Sequence, residues 1–134
     1  MPLVYKAEAQ QSVNLADTVL VGSIEKNYPG GFAAFNTYIE KNVRPPAIAY
    51  ENHKVGTTYV SFIIEPDGSV SHVCTILAAG SGMDEEAVRV VRKSNNWIPS
   101  TLENKPARCF CRAAVQFLAN FDKHETWVKA KWID

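Results

Sequence analysis

The sequence predicts an α+β domain, a two-layer sandwich in which a three-stranded antiparallel sheet packs against two helices. Three observations predict this class: a β-hairpin pattern over residues 56–77, a third strand pattern over 108–119, and two segments whose apolar residues recur at helical spacing. The length of 134 residues is typical of a single domain with one hydrophobic core.

The N-terminal region contains one strand pattern. Residues 17–24 form a short apolar run rich in β-branched side chains, which favours a β-strand. We therefore interpret residues 1–27 as an N-terminal extension that can add a strand to the sheet.

The first predicted helix covers residues 31–41. Its apolar residues Phe32, Phe35 and Ile39 recur at spacings of three and four, which places them on one face of a helix. Two consecutive prolines at 45–46 end the helix, because proline lacks an N–H and biases its predecessor toward extended geometry.

The strongest local pattern is the hairpin. Residues 56–65 and 70–77 read as strands, and Pro66 and Gly68 between them suit a short turn. Proline fits the first central position of such a turn, and glycine tolerates the left-handed conformation that closes it. Alternation along the first strand places Thr58, Val60, Phe62 and Ile64 on one face and Tyr59, Ser61 and Ile63 on the other.

A second helix is predicted to begin near residue 83. Ser81 is typical of an N-cap, and Asp84 follows it three positions later, where a negative charge favours the positive end of the helix dipole. The buried stripe of this helix consists of Met83, Ala87, Val90 and Val91. Trp97, just beyond the helix, is predicted to lie in the core.

The third strand follows the hairpin after a long connection. Such a crossover makes it parallel to the second strand, so in an antiparallel sheet it must lie beside the first. The predicted order is second, first, third, with the third strand at an edge. Its core face carries Cys109 and Cys111, which we interpret as buried free thiols, because three cysteines without a Cys-x-x-Cys pair do not make a disulfide scaffold.

Composition and spacing exclude several classes of function. Fourteen basic and fourteen acidic residues leave no net charge to attract nucleic acid or anionic lipid. His53, His72 and His124 lack the spacing of metal ligands, and no histidine and cysteine form a catalytic pair. We therefore expect no enzymatic activity, no metal and no cofactor. The sequence also contains no apolar run of membrane-spanning length and no signal peptide at its start.

A series of short motifs occurs in a defined order along residues 28–119. They are Tyr28-Pro29-Gly30-Gly31, Pro45-Pro46-Ala47, the strand from Gly56 to Phe62 with the Asp67-Gly68 turn, Met83-Asp84-Glu85-Glu86-Ala87, Trp97-Ile98-Pro99 and Asn104-Lys105-Pro106. In this order and spacing they resemble the C-terminal domain of TonB-type energy transducers, in its Bacteroidetes-like short form.

This resemblance implies a non-catalytic periplasmic domain that binds an extended segment of an outer-membrane receptor by β-strand addition, for energy-coupled transport. In that family the third strand receives the segment, because an edge strand presents unpaired N–H and C=O groups to any extended peptide. The residues predicted to bind the partner are Arg44, Pro45, Arg108, Phe110, Arg112, Ala114, Gln116 and Leu118.

The resemblance assigns residues 28–121 to this domain and leaves 122–134 as a C-terminal tail, which can cover an edge, swap into a dimer or bind a partner of its own. Two functions stay open. The first is a receptor-binding domain, periplasmic and tethered by a membrane helix that precedes this sequence. The second is a stand-alone interaction or homodimerisation module with the same fold and no transport role, which is cytoplasmic if no anchor precedes it.

Overall fold

The computed structural model describes residues 18–133, which fold into helices and strands of an α+β domain. The helices are α1 (Ile24–Asn27), α2 (Gly31–Asn42), α3 (Ala47–Glu51) and α4 (Met83–Lys93). The strands are β1 (Val19–Val21), β2 (Gly56–Ile64), β3 (Val70–Leu77), β4 (Thr101–Leu102), β5 (Lys105–Pro106), β6 (Arg108–Asn120) and β7 (Glu125–Lys131).

Five strands form one mixed, curled sheet, and β4 and β5 form a separate two-stranded sheet. The long strands lie in the order β3, β2, β6, and beyond β6 lie β1, parallel to residues 108–110, and β7, antiparallel to residues 114–120. The prediction of a three-stranded antiparallel sheet against two helices is therefore wrong. The prediction that the third strand lies at an edge is wrong too, because segments from both ends of the same chain pair with β6.

The hydrophobic core lies between one face of the sheet and the helices α2 and α4. Alternation along β2 and β6 directs every second side chain toward those helices. The fully buried side chains include Phe35, Ile39, Val60, Phe62, Ile64, Met83, Val90, Val91, Cys109, Cys111 and Val115. Trp97 is 3% exposed, and its ring centroid lies 4.9 Å from that of Tyr28 and 5.1 Å from that of Phe62, which confirms its predicted place in the core.

The turn between β2 and β3 contacts this core directly. Gly68 has a φ of +86°, and a Cβ at this position would lie 2.7 Å from the carbonyl oxygen of Trp97. The N–H of Trp97 in return donates to the carbonyl oxygen of Gly68 at 3.0 Å. Glycine is required at this position both for the left-handed backbone and for the close approach.

The start of α4 differs from the predicted N-cap. The capping residue is Gly82, and no side chain caps the helix. Asp84 instead accepts hydrogen bonds from the N–H groups of Ala79 and Gly80 and from the hydroxyl of Thr58, each at 2.8 Å. Burial raises the pKa of Asp84, but these hydrogen bonds outweigh it and hold the pKa below its ordinary value. Asp84 thus fastens the loop before α4 to β2.

Candidate functional site

The predicted docking edge is the side of β6 that faces away from β2. The N–H of Gly22 donates to the carbonyl oxygen of Phe110 at 2.8 Å, so Phe110 directs its main-chain polar groups to this outer side. Main-chain groups alternate in direction along a strand, so Arg112, Ala114 and the following even-numbered residues direct theirs outward as well. We call this row of main-chain groups the β6 outer edge.

β1 covers the first part of the β6 outer edge. It pairs in parallel, with Val19 opposite Arg108 and Val21 opposite Phe110. Its side chains bury little surface, since Val19 is 41% and Val21 is 79% exposed, while the half-buried Leu20 packs against the core. β1 is therefore held mainly by main-chain hydrogen bonds.

β7 covers the second part of the same edge and is much more deeply integrated. It pairs antiparallel with residues 114–120 and ends with Lys131 opposite Ala114. Val128 and Ala130 are 6% and 5% exposed and belong to the core that α2 covers. The N–H of Ala130 also donates to the side-chain oxygen of Asn36 on α2, at 2.7 Å. β7 is therefore part of the core as well as of the sheet.

Between these two strands lies a short uncovered part of the edge, which we call the notch. The pairing of β1 ends at Phe110 and that of β7 at Ala114, so Arg112 lies opposite neither strand. Within residues 18–133, the N–H of Arg112 has no hydrogen-bond partner, and its exposed guanidinium forms no ion pair. Within the described chain, the notch is thus the part of the β6 outer edge that neither β1 nor β7 covers, and the N–H of Arg112 is available there for an incoming strand.

The chain that follows β1 is fixed by Asn27, which is 2% exposed. Its Oδ1 accepts the N–H of Ser23 at 2.9 Å, and its Nδ2 donates to the carbonyl oxygen of Ile98 at 2.7 Å and to Ser100 Oγ at 3.2 Å. A Cβ on Gly22 would lie 2.5 Å from Asn27 Oδ1. Asn27 thus holds the chain at Ser23, so detachment of β1 from β6 can include Gly22 but ends before Ser23. Sequence reasoning missed Asn27, because its partners lie 71 and 73 residues further along the chain.

The predicted partner-binding residues of β6 differ in side-chain exposure and in whether their main-chain groups are already paired. Phe110 is 37% exposed on the open face of the sheet, the face away from the helices. The side chain of Ala114 is buried, and those of Gln116 and Leu118 are half-buried. All three residues lie opposite β7, which occupies their main-chain groups. Of this set, only Arg112 combines an exposed side chain with an unpaired main-chain donor.

Arg108 is committed to an ion pair rather than left for a partner. Its Nε lies 3.0 Å from Glu65 Oε1 and its Nη2 lies 3.3 Å from Oε2, and the hydroxyl of Ser71 donates to the same carboxylate. The hydrogen bonds from Ser71 and from Arg108 hold the pKa of Glu65 below its ordinary value. The structure does not bring Arg44 and Pro45 to the notch: Arg44 is exposed after α2, and Pro45 lines a separate groove beside β7.

β3 forms the opposite edge of the sheet and pairs only with β2 among the described strands. Ile76 and Leu77 on it are 51% and 61% exposed. The pairing with β2 shifts register twice, and the second shift contains His72, whose φ is +53°. Such bulges interrupt the row of main-chain groups and protect an edge from strand addition. The β3 edge is therefore open but irregular.

Two of the three described cysteines lie in the core of the domain. Between residues 18 and 133, no group of three or more histidines, cysteines and carboxylates is placed to hold a metal ion. Cys109 and Cys111 are free and buried, which confirms their predicted position on the core face. Burial raises the pKa of Cys111 to about 12, so this group is a neutral thiol and not a nucleophile.

The family described as Gram-negative bacterial TonB protein C-terminal matches residues 41–118, more than half of the chain. The chain belongs to this family. TonB C-terminal domains are periplasmic, non-enzymatic protein-interaction domains. No curated protein and no solved structure matches the chain.

The matched region of this TonB C-terminal domain runs from the end of α2 almost to the end of β6. β1 and β7, the two strands that cover the β6 outer edge, lie outside it. Across residues 18–133, none of the helices has the length and apolar character needed to cross a membrane. The covered edge is therefore a feature of this chain that the family match does not include.

Proposed function

We propose that this TonB C-terminal domain is a non-catalytic binding module that takes an extended segment of a partner protein into its sheet at the β6 outer edge, in the place of β1. The observation that carries the proposal is the contrast between pairing and burial in β1. All of Val19–Val21 pairs with β6, yet the two valines stay exposed. A strand held by its main chain can be exchanged for one of different sequence, because the ladder makes little demand on side chains.

The free energy needed to release β1 is small. A fully buried leucine contributes about 1.5–3 kcal/mol, so the half-buried Leu20 contributes less, and a main-chain hydrogen bond contributes about 1 kcal/mol net. An incoming strand forms the same bonds and adds one more. β1 turns away into α1 after Gly22, whereas a straight strand continues along β6 and accepts the N–H of Arg112.

The partner that family membership supports is an outer-membrane receptor. In this proposal, an extended periplasmic segment of the receptor pairs with β6, and the joint transmits force for energy-coupled transport. The domain then lies in the periplasm, tethered by a membrane helix on the N-terminal side of Met1.

A second candidate function is a stand-alone interaction or homodimerisation module without a transport role. One observation favours it: the chain fills the β6 outer edge with its own β1. In a dimer, β1 of one copy can pair with β6 of the other through the same contacts, which is domain swapping. The two candidates differ in what replaces β1, a receptor segment or a second copy of the chain.

The variant Leu20→Pro tests strand exchange in the full chain. In the parallel register, Leu20 and Gly22 turn their main-chain groups toward β6, so proline at position 20 removes one of the two donors together with the inward side chain. Val21→Ala is the matched control, because Val21 is 79% exposed. The probe is a synthetic peptide of residues 18–23, followed by amide NMR.

We expect the peptide to shift the amides of residues 108–112 in the Leu20→Pro protein and to leave those of 116–120 unchanged. Binding to the Val21→Ala protein should be much weaker, because β1 competes from within the chain. No shift at millimolar peptide would contradict strand addition at this edge. Peptides from the periplasmic segments of outer-membrane receptors should give the same pattern at lower concentration, whereas a dimer that is lost in Leu20→Pro would select the second candidate.

A further inference from the structure

A cavity of about 300 Å³ lies at the notch, between the end of β1 and the end of β7. Ile24, Phe32 and Trp132 line its helix side, and the rings of Phe32 and Trp132 meet edge to face with centroids 5.1 Å apart. Arg112 and Lys131 line its other side. The cavity therefore combines an apolar wall with two cations at the point where the β6 outer edge is uncovered.

The charges of the described residues that line this cavity do not cancel. Within residues 18–133 neither Arg112 nor Lys131 forms an ion pair, and the ammonium of Lys131 lies 3.4 Å from the hydroxyl of Tyr59. Glu25 also lines the cavity, but its carboxylate accepts the N–H of Phe32 at 2.9 Å at the start of α2. Two cations and one committed carboxylate leave one positive charge, and an apolar wall strengthens its attraction for an anion.

The path of a docked strand shows which of its side chains reaches these cations. A strand in the place of β1 that continues along β6 places one residue opposite Phe110 and another, two positions later, opposite Arg112. Residues two apart share a face of the sheet, so this second side chain lies beside Arg112 and points toward Lys131, which pairs with Ala114. The two cations at the notch therefore contact the side chain at one defined position of the incoming segment.

The residue between those two positions takes the place of Gly22. A Cβ there would lie 2.5 Å from Asn27 Oδ1 and 3.5 Å from the Cβ of Cys109. Because the buried Asn27 is held by three hydrogen bonds, it cannot give way to a side chain without losing them. Glycine is the residue that fits.

Resting on the function proposed above, we propose that the partner segment carries glycine followed by an acidic residue at the end of its paired strand, and that Arg112 and Lys131 bind that carboxylate. β1 and the two residues after it have the sequence Val19-Leu20-Val21-Gly22-Ser23, which supplies the apolar residues and the glycine but not the acid. A partner with the acid therefore gains an interaction that β1 lacks, which helps it to displace β1.

The test uses the full-length Leu20→Pro protein and two acetylated, amidated peptides of residues 18–23, one with Ser23→Glu and the other with Ser23→Gln. Both peptides form the same main-chain ladder and differ by one charge. We expect the glutamate peptide to bind about three- to fivefold more tightly at low ionic strength, in the range of partly exposed ion pairs. Raising the salt to 1 M should remove most of the difference.

Two further variants identify the cations. Adding Arg112→Gln should abolish the preference for the glutamate peptide, whereas Lys129→Gln, on the same face but outside the cavity, should keep it. Equal affinity for the two peptides, with shifts at residues 108–112, would overturn the acidic specificity and leave strand addition intact. Binding of neither peptide would overturn strand addition itself. Sodium glutarate that binds as tightly as the peptide would show a site for free carboxylates and overturn the proposal.

Discussion

β1 and β7 cover the same edge of β6, but they are held there in different ways. β7 buries Val128 and Ala130 in the core, whereas the valines of β1 stay exposed. Asn36 accepts a hydrogen bond from β7 within its paired region, whereas Asn27 forms no hydrogen bond to β1 itself and accepts one from Ser23, beyond the end of that strand. Pairing alone therefore does not show that a strand is integral to a sheet. Side-chain burial decides which of the two can be exchanged.

The largest effect that tests this comparison is expected from the two asparagines. Asn27→Ala removes three side-chain hydrogen bonds at a buried position and should lower the free energy of unfolding by about 3 kcal/mol, since each unsatisfied buried group costs about 1–3 kcal/mol. Asn36→Ala removes the bond to Ala130 and should cost about 1 kcal/mol. Urea unfolding measures both. A larger cost for Asn36→Ala would mean that Asn36 holds β7 more firmly than Asn27 holds the chain after β1.

A matched pair of valine substitutions compares the strands themselves. Val128→Ala removes two buried methyl groups and should cost about 1.6 kcal/mol, at about 0.8 kcal/mol for each carbon. Val21→Ala changes a side chain that is 79% exposed and should alter stability by less than about 0.5 kcal/mol. Thermal or urea unfolding gives both values. Equal losses would show that β1 is as integrated as β7, and the exchange proposed for β1 would fail.

Local patterns in the sequence predicted the elements whose partners lie close along the chain. The hairpin, α2 and α4 follow from turn residues and apolar spacing. The edge position of the third strand was wrong, although the N-terminal extension and the C-terminal tail were both interpreted as segments that can add to the sheet or cover an edge. β1 has only three residues, and the alternation in β7 is confined to its last four residues, where the buried Val128 and Ala130 alternate with exposed lysines. Such short patterns do not show which strand each segment pairs with.

The candidate site was predictable only in part for the same reason. Family resemblance pointed to β6, and residues along it do form the notch, but the sequence cannot show that Arg108 pairs with Glu65, 43 positions away. Nor can it show that Asn27 excludes a side chain at Gly22. These features depend on contacts between distant segments, which periodicity does not encode.

A smaller effect is expected from acid, at the part of β6 that lies under β1. The folded pKa of Glu65 lies below its ordinary value of 4.5, so its stabilising contribution is complete above about pH 4.5 and is lost as the pH falls through the folded pKa. Glu65→Gln should therefore cost under about 1 kcal/mol at pH 6, given the exposure of the ion pair, and progressively less below pH 4. Unfolding measured over this pH range gives the difference. A difference that does not change with pH would mean that the charge of Glu65 contributes nothing.

The smallest effect, no change at all, is expected for the reactivity of Cys111 when β1 is released. Cys111 lies on β6 next to the notch, but its side chain faces the helices and is 1% exposed, and burial raises its pKa to about 12. Labelling therefore requires the core to open, and releasing β1 does not open it. In a Cys74→Ser background, which removes the exposed thiol, Leu20→Pro should speed amide exchange at Phe110 and leave the slow labelling of Cys111 unchanged. If both rates rise together, β1 is coupled to the core as β7 is, and its release amounts to unfolding of the domain rather than to strand exchange.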